Sequence, residues 1–276
     1  GTGPSHWPGA CQTGNRQSPI DIVPRHTFPV KFKDMEFYKY GQELHSHGAT
    51  LYNNGHTVVL DLGTLKNRST PSIRDGGLES VYILDHIHFH APSEHTVNGR
   101  RYPLEAHLVH RDHRAPSVPE ALKMRDGIAV LGVLYHISEE GNSELQDLAD
   151  GLAKLNGVEG SKERLPERDG DSMTIDSLLP EERDDFFRYY GSLTTPQCHE
   201  AVVWTVFKET VAISEEQLKQ FRMPQHNFRP LQDMNHRFVL HNTDSGSRSR
   251  SSGIAAPTPF CTLALASVLA AYGLRR

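Results

Sequence analysis

Three histidines constrain this chain more than any other feature, because their spacing suits one metal ion held between two strands. His88 and His90 sit in Val81-Tyr82-Ile83-Leu84-Asp85-His86-Ile87-His88-Phe89-His90-Ala91, a β-branched and aromatic run that predicts a strand. Side chains two apart on a strand share a face, so His88 and His90 converge while Ile87 and Phe89 point the other way. His107 lies in a second apolar-rich run, Leu104-Glu105-Ala106-His107-Leu108-Val109-His110. Three neutral imidazoles with an open fourth position describe a catalytic zinc site rather than a closed structural one. Imidazole also suits copper, iron and nickel.

One His-x-His pair on a strand is weak evidence; the surrounding constellation carries the case. Glu105 shares a face with His107, and metal-bound histidines usually donate their second N–H to a carboxylate, amide or carbonyl. His86 occupies the corresponding position for His88. Glu94, four residues after His90, could serve as ligand, base or hydrogen-bond orienter, and spacing does not choose among the three.

Composition sets wide bounds. A chain of 276 residues can hold one large domain or two small ones, and 37% apolar residues can build a substantial core. A formal net charge of −5 gives no reason to expect nucleic acid as a partner. Basic clusters such as Arg111-Asp112-His113-Arg114 are interrupted by acids and read as solvated surface. The cysteines are Cys11, Cys198 and Cys261, an odd count. One long-range disulfide between the first two and a pair of reduced, buried thiols are both compatible with it. Asn67-Arg68-Ser69 is a glycosylation sequon, a triplet that also arises by chance. The opening Gly1-Thr2-Gly3-Pro4-Ser5 has neither a basic start nor an apolar stretch, so a secretory leader is expected to have been removed or never included.

Residues 1–243 are expected to form one domain, without internal repeats. Turn signals recur at Asn54-Gly55, Asp75-Gly76-Gly77, Asn98-Gly99, Gly141-Asn142 and Pro224-Gln225-His226-Asn227. Helical periodicity is confined to Ser143–Asn156 and to Ser214–Phe221, which follows a Ser214-Glu215-Glu216-Gln217 capping box. This pattern predicts a mainly β (α+β) fold, a mostly antiparallel sheet with short peripheral helices. Residues 244–253 form a polar Ser, Gly and Arg run, expected to be a flexible spacer. Residues 254–276 are a hydrophobic tail closing on Arg275-Arg276. Small residues, a spacer and an apolar tail resemble a glycolipid-anchor (GPI) signal, with Ser245 as the attachment candidate and Ser251-Ser252-Gly253 as second choice. The alternative is a single membrane span, which needs about 20 apolar residues; Pro257 and Pro259 leave only Phe260–Leu274 uninterrupted.

Six motifs, in order, resemble those of the α-class carbonic anhydrases of the secreted or membrane-anchored type. They are Arg16-Gln17-Ser18-Pro19-Ile20-Asp21-Ile22, Asn53-Asn54-Gly55-His56, His88-Phe89-His90, Ser93-Glu94-His95-Thr96, Glu105-Ala106-His107-Leu108-Val109-His110 and Gly191-Ser192-Leu193-Thr194-Thr195-Pro196. The resemblance runs from about Gly3 to Phe238. It implies a large twisted sheet around a conical zinc cavity, and reversible hydration of carbon dioxide to bicarbonate and a proton.

The resemblance also implies roles. His88, His90 and His107 would bind Zn2+, with water or hydroxide in the fourth position. Carbonic anhydrase is the standard example of such acidification, the bound water's pKa falling to about 7. Thr194 would accept a hydrogen bond from the hydroxide and donate its own proton to Glu94, aiming a lone pair at the substrate. Thr195 would flank substrate and bicarbonate. Val109, Val130, Leu193, Val202 and Trp204 would form an apolar wall for carbon dioxide, which has no net charge or dipole. His56 would carry the proton out, since an imidazole of pKa about 6.5 both accepts and donates near neutrality. The backbone carbonyl of Asn227 would steady His90, and aromatic sulfonamides would inhibit by binding the zinc as anions. Cys11 and Cys198 fall where secreted and membrane-attached members carry one disulfide, so the resemblance would imply an extracellular protein, at the cell surface if the tail anchors it.

Several residues depart from the family pattern. Ala91 replaces a tryptophan, His86 a glutamine, and Gln197 a second proline whose cis bond is therefore in question. Val59 replaces a polar residue that orders the proton-carrying water, and an N-terminal tyrosine is missing. None of these is a metal ligand, so they bear on peak turnover more than on activity itself. A metal-binding cupin would explain His88-x-His90-x3-Glu94 but leaves the threonine and proline motifs without a role. A catalytically weak binding module is the other alternative, and the complete set of histidines with Glu94 and Thr194 argues against it.

Overall fold

Long runs of β-branched and aromatic residues extend into strands whose inward side chains fill the core, and two of these strands carry the three histidines. A computed structural model describes residues 3–65, 70–167, 172–223 and 227–243. The sequon at Asn67, the spacer and tail with Ser245 and Cys261, and Pro224-Gln225-His226 lie outside the described residues. All elements below belong to the unit Gly1–Ser245; the unit Gly246–Arg276 is not among the described residues.

The first part of the chain supplies β1 (Asp21–Ile22), β2 (Phe28–Val30), β3 (Met35–Tyr38), β4 (Thr50–Asn53), β5 (Val58–Asp61), β6 (Ser72–Asp75), β7 (Tyr82–His90), β8 (Thr96–Val97) and β9 (Arg100–Arg101). The second part supplies β10 (Leu104–Asp112), β11 (Ile128–Ile137), β12 (Lys162–Arg164), β13 (Phe186–Gly191), β14 (Val202–Phe207), β15 (Val211–Ile213) and β16 (Leu240–Asn242). Thirteen of them form one sheet, whose main path runs β12-β4-β5-β7-β10-β11-β14-β13-β16-β2. Its pairings are antiparallel except β11 with β14, β11 with β15 and β16 with β2. Strands β1, β8 and β9 form a separate small sheet. The mostly antiparallel sheet expected from the sequence is therefore the fold.

Helices are short and peripheral. Gln146–Leu155 buries Leu148, Leu152 and Leu155, within the segment expected to be helical. The second predicted helix is shorter than expected. It covers Glu215–Leu218 instead of reaching Phe221, behind a complete capping box in which Ser214 and Gln217 exchange side-chain and backbone bonds. Beyond Leu218 the backbone closes into i→i+3 turns, Gln220 N donating to Gln217 O and Phe221 N to Leu218 O. No helix among the described residues is long and apolar enough to cross a membrane.

Two apolar clusters flank the sheet. The larger one includes Leu51, Leu60, Leu84, Ile87, Phe89 and Leu108. The second includes Val109, Val130, Phe187, Val202 and Trp204. At 25 °C each fully buried aliphatic or aromatic side chain contributes about 1.5–3 kcal/mol, so these clusters hold β7 and β10 in a fixed register.

Candidate metal centre

The register of β7 against β10 builds the centre. His107 stands directly opposite His88, and Glu105 directly opposite His90. Ile87 and Phe89, at 0% exposure, anchor the other face of β7, which turns His88 and His90 away from the larger cluster. The ring nitrogens of His88, His90 and His107 come within 4.8 Å of one another.

Hydrogen bonds decide which nitrogens remain free. His107 Nε2 donates to Glu105 Oε1 at 2.7 Å, which leaves Nδ1 facing His88 Nε2 at 3.3 Å. His90 Nδ1 donates to the backbone carbonyl of Asn227 at 2.6 Å, leaving its Nε2 without a partner although buried. Glu94 Oε2 is also buried and unpartnered, 3.5 Å from His90 Nε2 and 4.0 Å from His107 Nδ1. Buried polar atoms are normally satisfied, and an orphan costs about 1–3 kcal/mol. The orphaned His90 Nε2, converging with His88 Nε2 and His107 Nδ1, is what a small cation would satisfy, so these residues fit a metal. Burial pushes His88 well below the usual imidazole range, and His107 down as well, which favours the neutral form that ligation requires.

Glu105 organises the layer behind the histidines. Its Oε1 accepts from His107 and from His95 Nδ1 at 2.6 Å; its Oε2 accepts the backbone N–H groups of Glu94 and His95, both at 2.8 Å. Burial alone would raise its pKa, but the facing His95 and His107 and their hydrogen bonds hold it well below the carboxylate range. An ionised Glu105 only accepts, so His95 must carry its proton on Nδ1. His95 Nε2 then accepts from the Tyr189 hydroxyl at 2.6 Å, and that hydroxyl lies 2.9 Å from Ser18 Oγ. Glycines admit this network. A Cβ at Gly132, opposite His107, would press on Glu105 Oε1 at 3.3 Å, and one at Gly191 would lie 2.2 Å from Ser18 Oγ.

Glu94 is held from the far side by Arg229, whose backbone N–H donates to Oε1 at 2.7 Å. The Arg229 guanidinium donates to Gln17 Oε1 and Ser18 O at 2.8 and 2.9 Å. His95 and Arg229 had no assigned role in the sequence reading. The only signal for His95 was its place in Ser93-Glu94-His95-Thr96.

One expectation is corrected. His86 does not support His88: its Nδ1 turns to Asp85 Oδ2 at 2.8 Å, its ring stacks on His88 at 5.2 Å, and His88 Nδ1 is left buried without a partner. The adjacent Asp85 carboxylate offers the ring a charged acceptor.

The apolar candidates adjoin the centre. Val109, Val130 and Trp204 form a cross-strand row on β10, β11 and β14, with Val202 and Leu193 in the same cluster. The Trp204 ring lies 4.8 Å from that of His107, so this apolar wall adjoins the histidines. Thr194 is buried and Thr195 exposed in the loop after β13. His56 is exposed between β4 and β5, and Asn54 Oδ1 accepts its backbone N–H at 2.9 Å. Val59 on β5 is buried opposite His88. The Asn227 side chain accepts from Ala91 N and donates to Phe89 O, both at 3.1 Å, so it braces the end of β7. Cys11 and Cys198 form a disulfide with their Cα atoms 5.0 Å apart.

Comparison with known proteins finds similarity along almost the whole chain. A sequence model of the eukaryotic-type carbonic anhydrases matches residues 2–243. A Caenorhabditis elegans protein provisionally named carbonic anhydrase 3 is 36% identical, across 87% of this chain and 93% of its own length. Carbonic anhydrase 4 of Oryctolagus cuniculus is 32% identical over 95% of this chain and 84% of its own. Carbonic anhydrase 4 of Rattus norvegicus is 31% identical over 97% and 88%.

Proposed function

The chain belongs to the eukaryotic-type carbonic anhydrases, enzymes of carbon dioxide and bicarbonate, and from that premise we propose how its own residues perform the hydration. The observation that carries the proposal is the convergence of His88 Nε2, His90 Nε2 and His107 Nδ1 beside an unpartnered Glu94 oxygen. These three histidines would hold Zn2+. Bound there, the ion would acidify a water and so supply a nucleophile at neutral pH.

The protein's share of the work is positioning. Asn227 fixes the His90 ring through its carbonyl, and Glu105 fixes His107 and, through His95, itself. Thr194 would orient the attacking oxygen and donate its own hydroxyl hydrogen bond to Glu94, whose unpartnered Oε2 is an available acceptor. Val109, Val130, Leu193, Val202 and Trp204 would receive carbon dioxide on an apolar surface that excludes water, with Thr195 at its edge. His56, exposed on a loop next to β5, would accept the product proton and release it to solvent.

The disulfide supports an oxidising compartment, and the small-residue, spacer and apolar-tail pattern after Thr243 supports a GPI anchor at Ser245. Residues 1–243 would then be an extracellular catalytic domain, glycosylated at Asn67, on a cell surface. Titration with an aromatic sulfonamide tests the site directly. One equivalent should bind to the zinc-loaded chain and none after chelation. Binding that ignores the metal would remove the zinc reading.

A further inference from the structure

Asn227 steadies His90 through its backbone carbonyl, and its own side chain is held at three points. Its Oδ1 accepts from Ala91 N at 3.1 Å, while its Nδ2 donates to Phe89 O at 3.1 Å and to the Met223 sulfur at 3.4 Å. A side-chain amide has two N–H donors, so both are committed, one of them to a thioether, which is a weak acceptor. The same sulfur lies 3.6 Å from the hydroxyl of Thr57, immediately before β5, and that hydroxyl also donates to Phe89 O. Phe89 O and Met223 Sδ therefore face the same two donors, at the residue before His90.

Exposure singles out this methionine. Met223 is half-buried against the larger apolar cluster, so a small oxidant reaches it, whereas Met35 and Met173 are only 6% and 1% exposed. Met124 and Met234 are half-buried as well, but they pack on the second cluster. Oxidation turns a methionine from a flexible apolar side chain into a polar one, which disrupts the packing around it.

We propose that Met223 is an oxidative modification site, at which hydrogen peroxide forms a sulfoxide that releases the end of β7 and loosens the metal centre. A sulfur lone pair bonds to one peroxide oxygen as the O–O bond breaks. The proton on that oxygen passes to the departing hydroxide, which leaves as water; sulfur loses two electrons and the peroxide gains them. An oxygen added towards Asn227 falls inside the 3.4 Å that separates Sδ from Nδ2, so the amide has to move. One added towards Thr57 is a polar acceptor that draws the hydroxyl away from Phe89 O. Either sulfoxide disturbs a donor to Phe89 O, and the carbonyl that accepts from His90 Nδ1 loses its support. The inference rests on the reading of His90 as a zinc ligand.

Peroxide titration of the zinc-loaded full chain, with peptide mapping of each methionine, tests it. As Met223 gains an oxygen, zinc loss to a chelator should speed up several-fold. Hydrogen exchange of the Ala91 amide, which donates to Asn227 Oδ1, should rise in step. A methionine sulfoxide reductase should reverse both changes. Met223→Leu, compared with its own unoxidised state, should show neither change at the same dose of peroxide. Met124→Leu combined with Met234→Leu should keep both. Complete oxidation of Met223 with unaltered zinc loss and Ala91 exchange overturns the proposal. So does a Met223 that stays reduced while Met124 and Met234 are oxidised. Should the chain hold no zinc, Ala91 exchange in the metal-free protein separates the two readings. A rise on oxidation keeps the modification site while the zinc reading falls, and an unchanged rate removes the modification site as well.

Discussion

Glu105 accepts four hydrogen bonds, one of them from His107, so its loss and that of His107 should differ in kind. His107→Ala removes one of three ligand positions and should lower zinc affinity by orders of magnitude in a competitive chelator titration. Glu105→Ala should cost about 10- to 100-fold in affinity or activity, as the loss of an outer hydrogen-bond partner does. Equal losses would show the two layers to be misassigned. His56→Ala should reduce the maximal rate in weak buffer, with concentrated imidazole restoring much of it, because a diffusible base can take over the transfer. Unaltered turnover at low buffer would make His56 a turn residue only. At this scale the three histidines and Glu105 were legible because strand periodicity places them on one face. His95 was not, since its partners Glu105 and Tyr189 lie 10 and 94 residues away. The His86 expectation failed for a local reason, because the adjacent Asp85 competes for its ring.

Elements set the tolerances of the site. β7 and β10 were readable from their apolar runs, yet their pairing, with an irregularity between Val109 and His110, was not, because register depends on partners distant in sequence. At the end of β10, Asp112 is 1% exposed and accepts from Arg114 Nε and Nη2 at 2.9 and 2.7 Å. The Arg114 hydrogen bonds hold its pKa down to about 2 from an ordinary 3.8. A depressed carboxylate pKa contributes stability that is present above the unfolded value and lost as pH falls from about 4 to about 2; with Arg114 largely solvated, the amount is about 1–2 kcal/mol. Asp112→Asn should lose that increment at pH 7 and show a flatter acid limb in urea melts; an unchanged acid limb would contradict the pairing. The disulfide closes the chain across 187 residues, and reducing it should cost about 2–5 kcal/mol of stability. Thermal midpoints that coincide with and without reductant would show that the bridge adds no stability.

Across the whole molecule, sheet, histidine centre and apolar wall serve one arrangement, in which packing on one face of β7 fixes chemistry on the other. The fold class was legible because the strand runs and turn signals dominate residues 1–243, while the order of the thirteen strands along the main sheet required the structure. If this centre, filled with zinc, hydrates carbon dioxide, stopped-flow hydration will follow zinc occupancy. The rate above buffer should rise in proportion to bound zinc, saturate at about one ion per chain, and increase with pH through a transition near neutrality. Full occupancy without any rate above buffer would contradict the account and leave a metal-binding module.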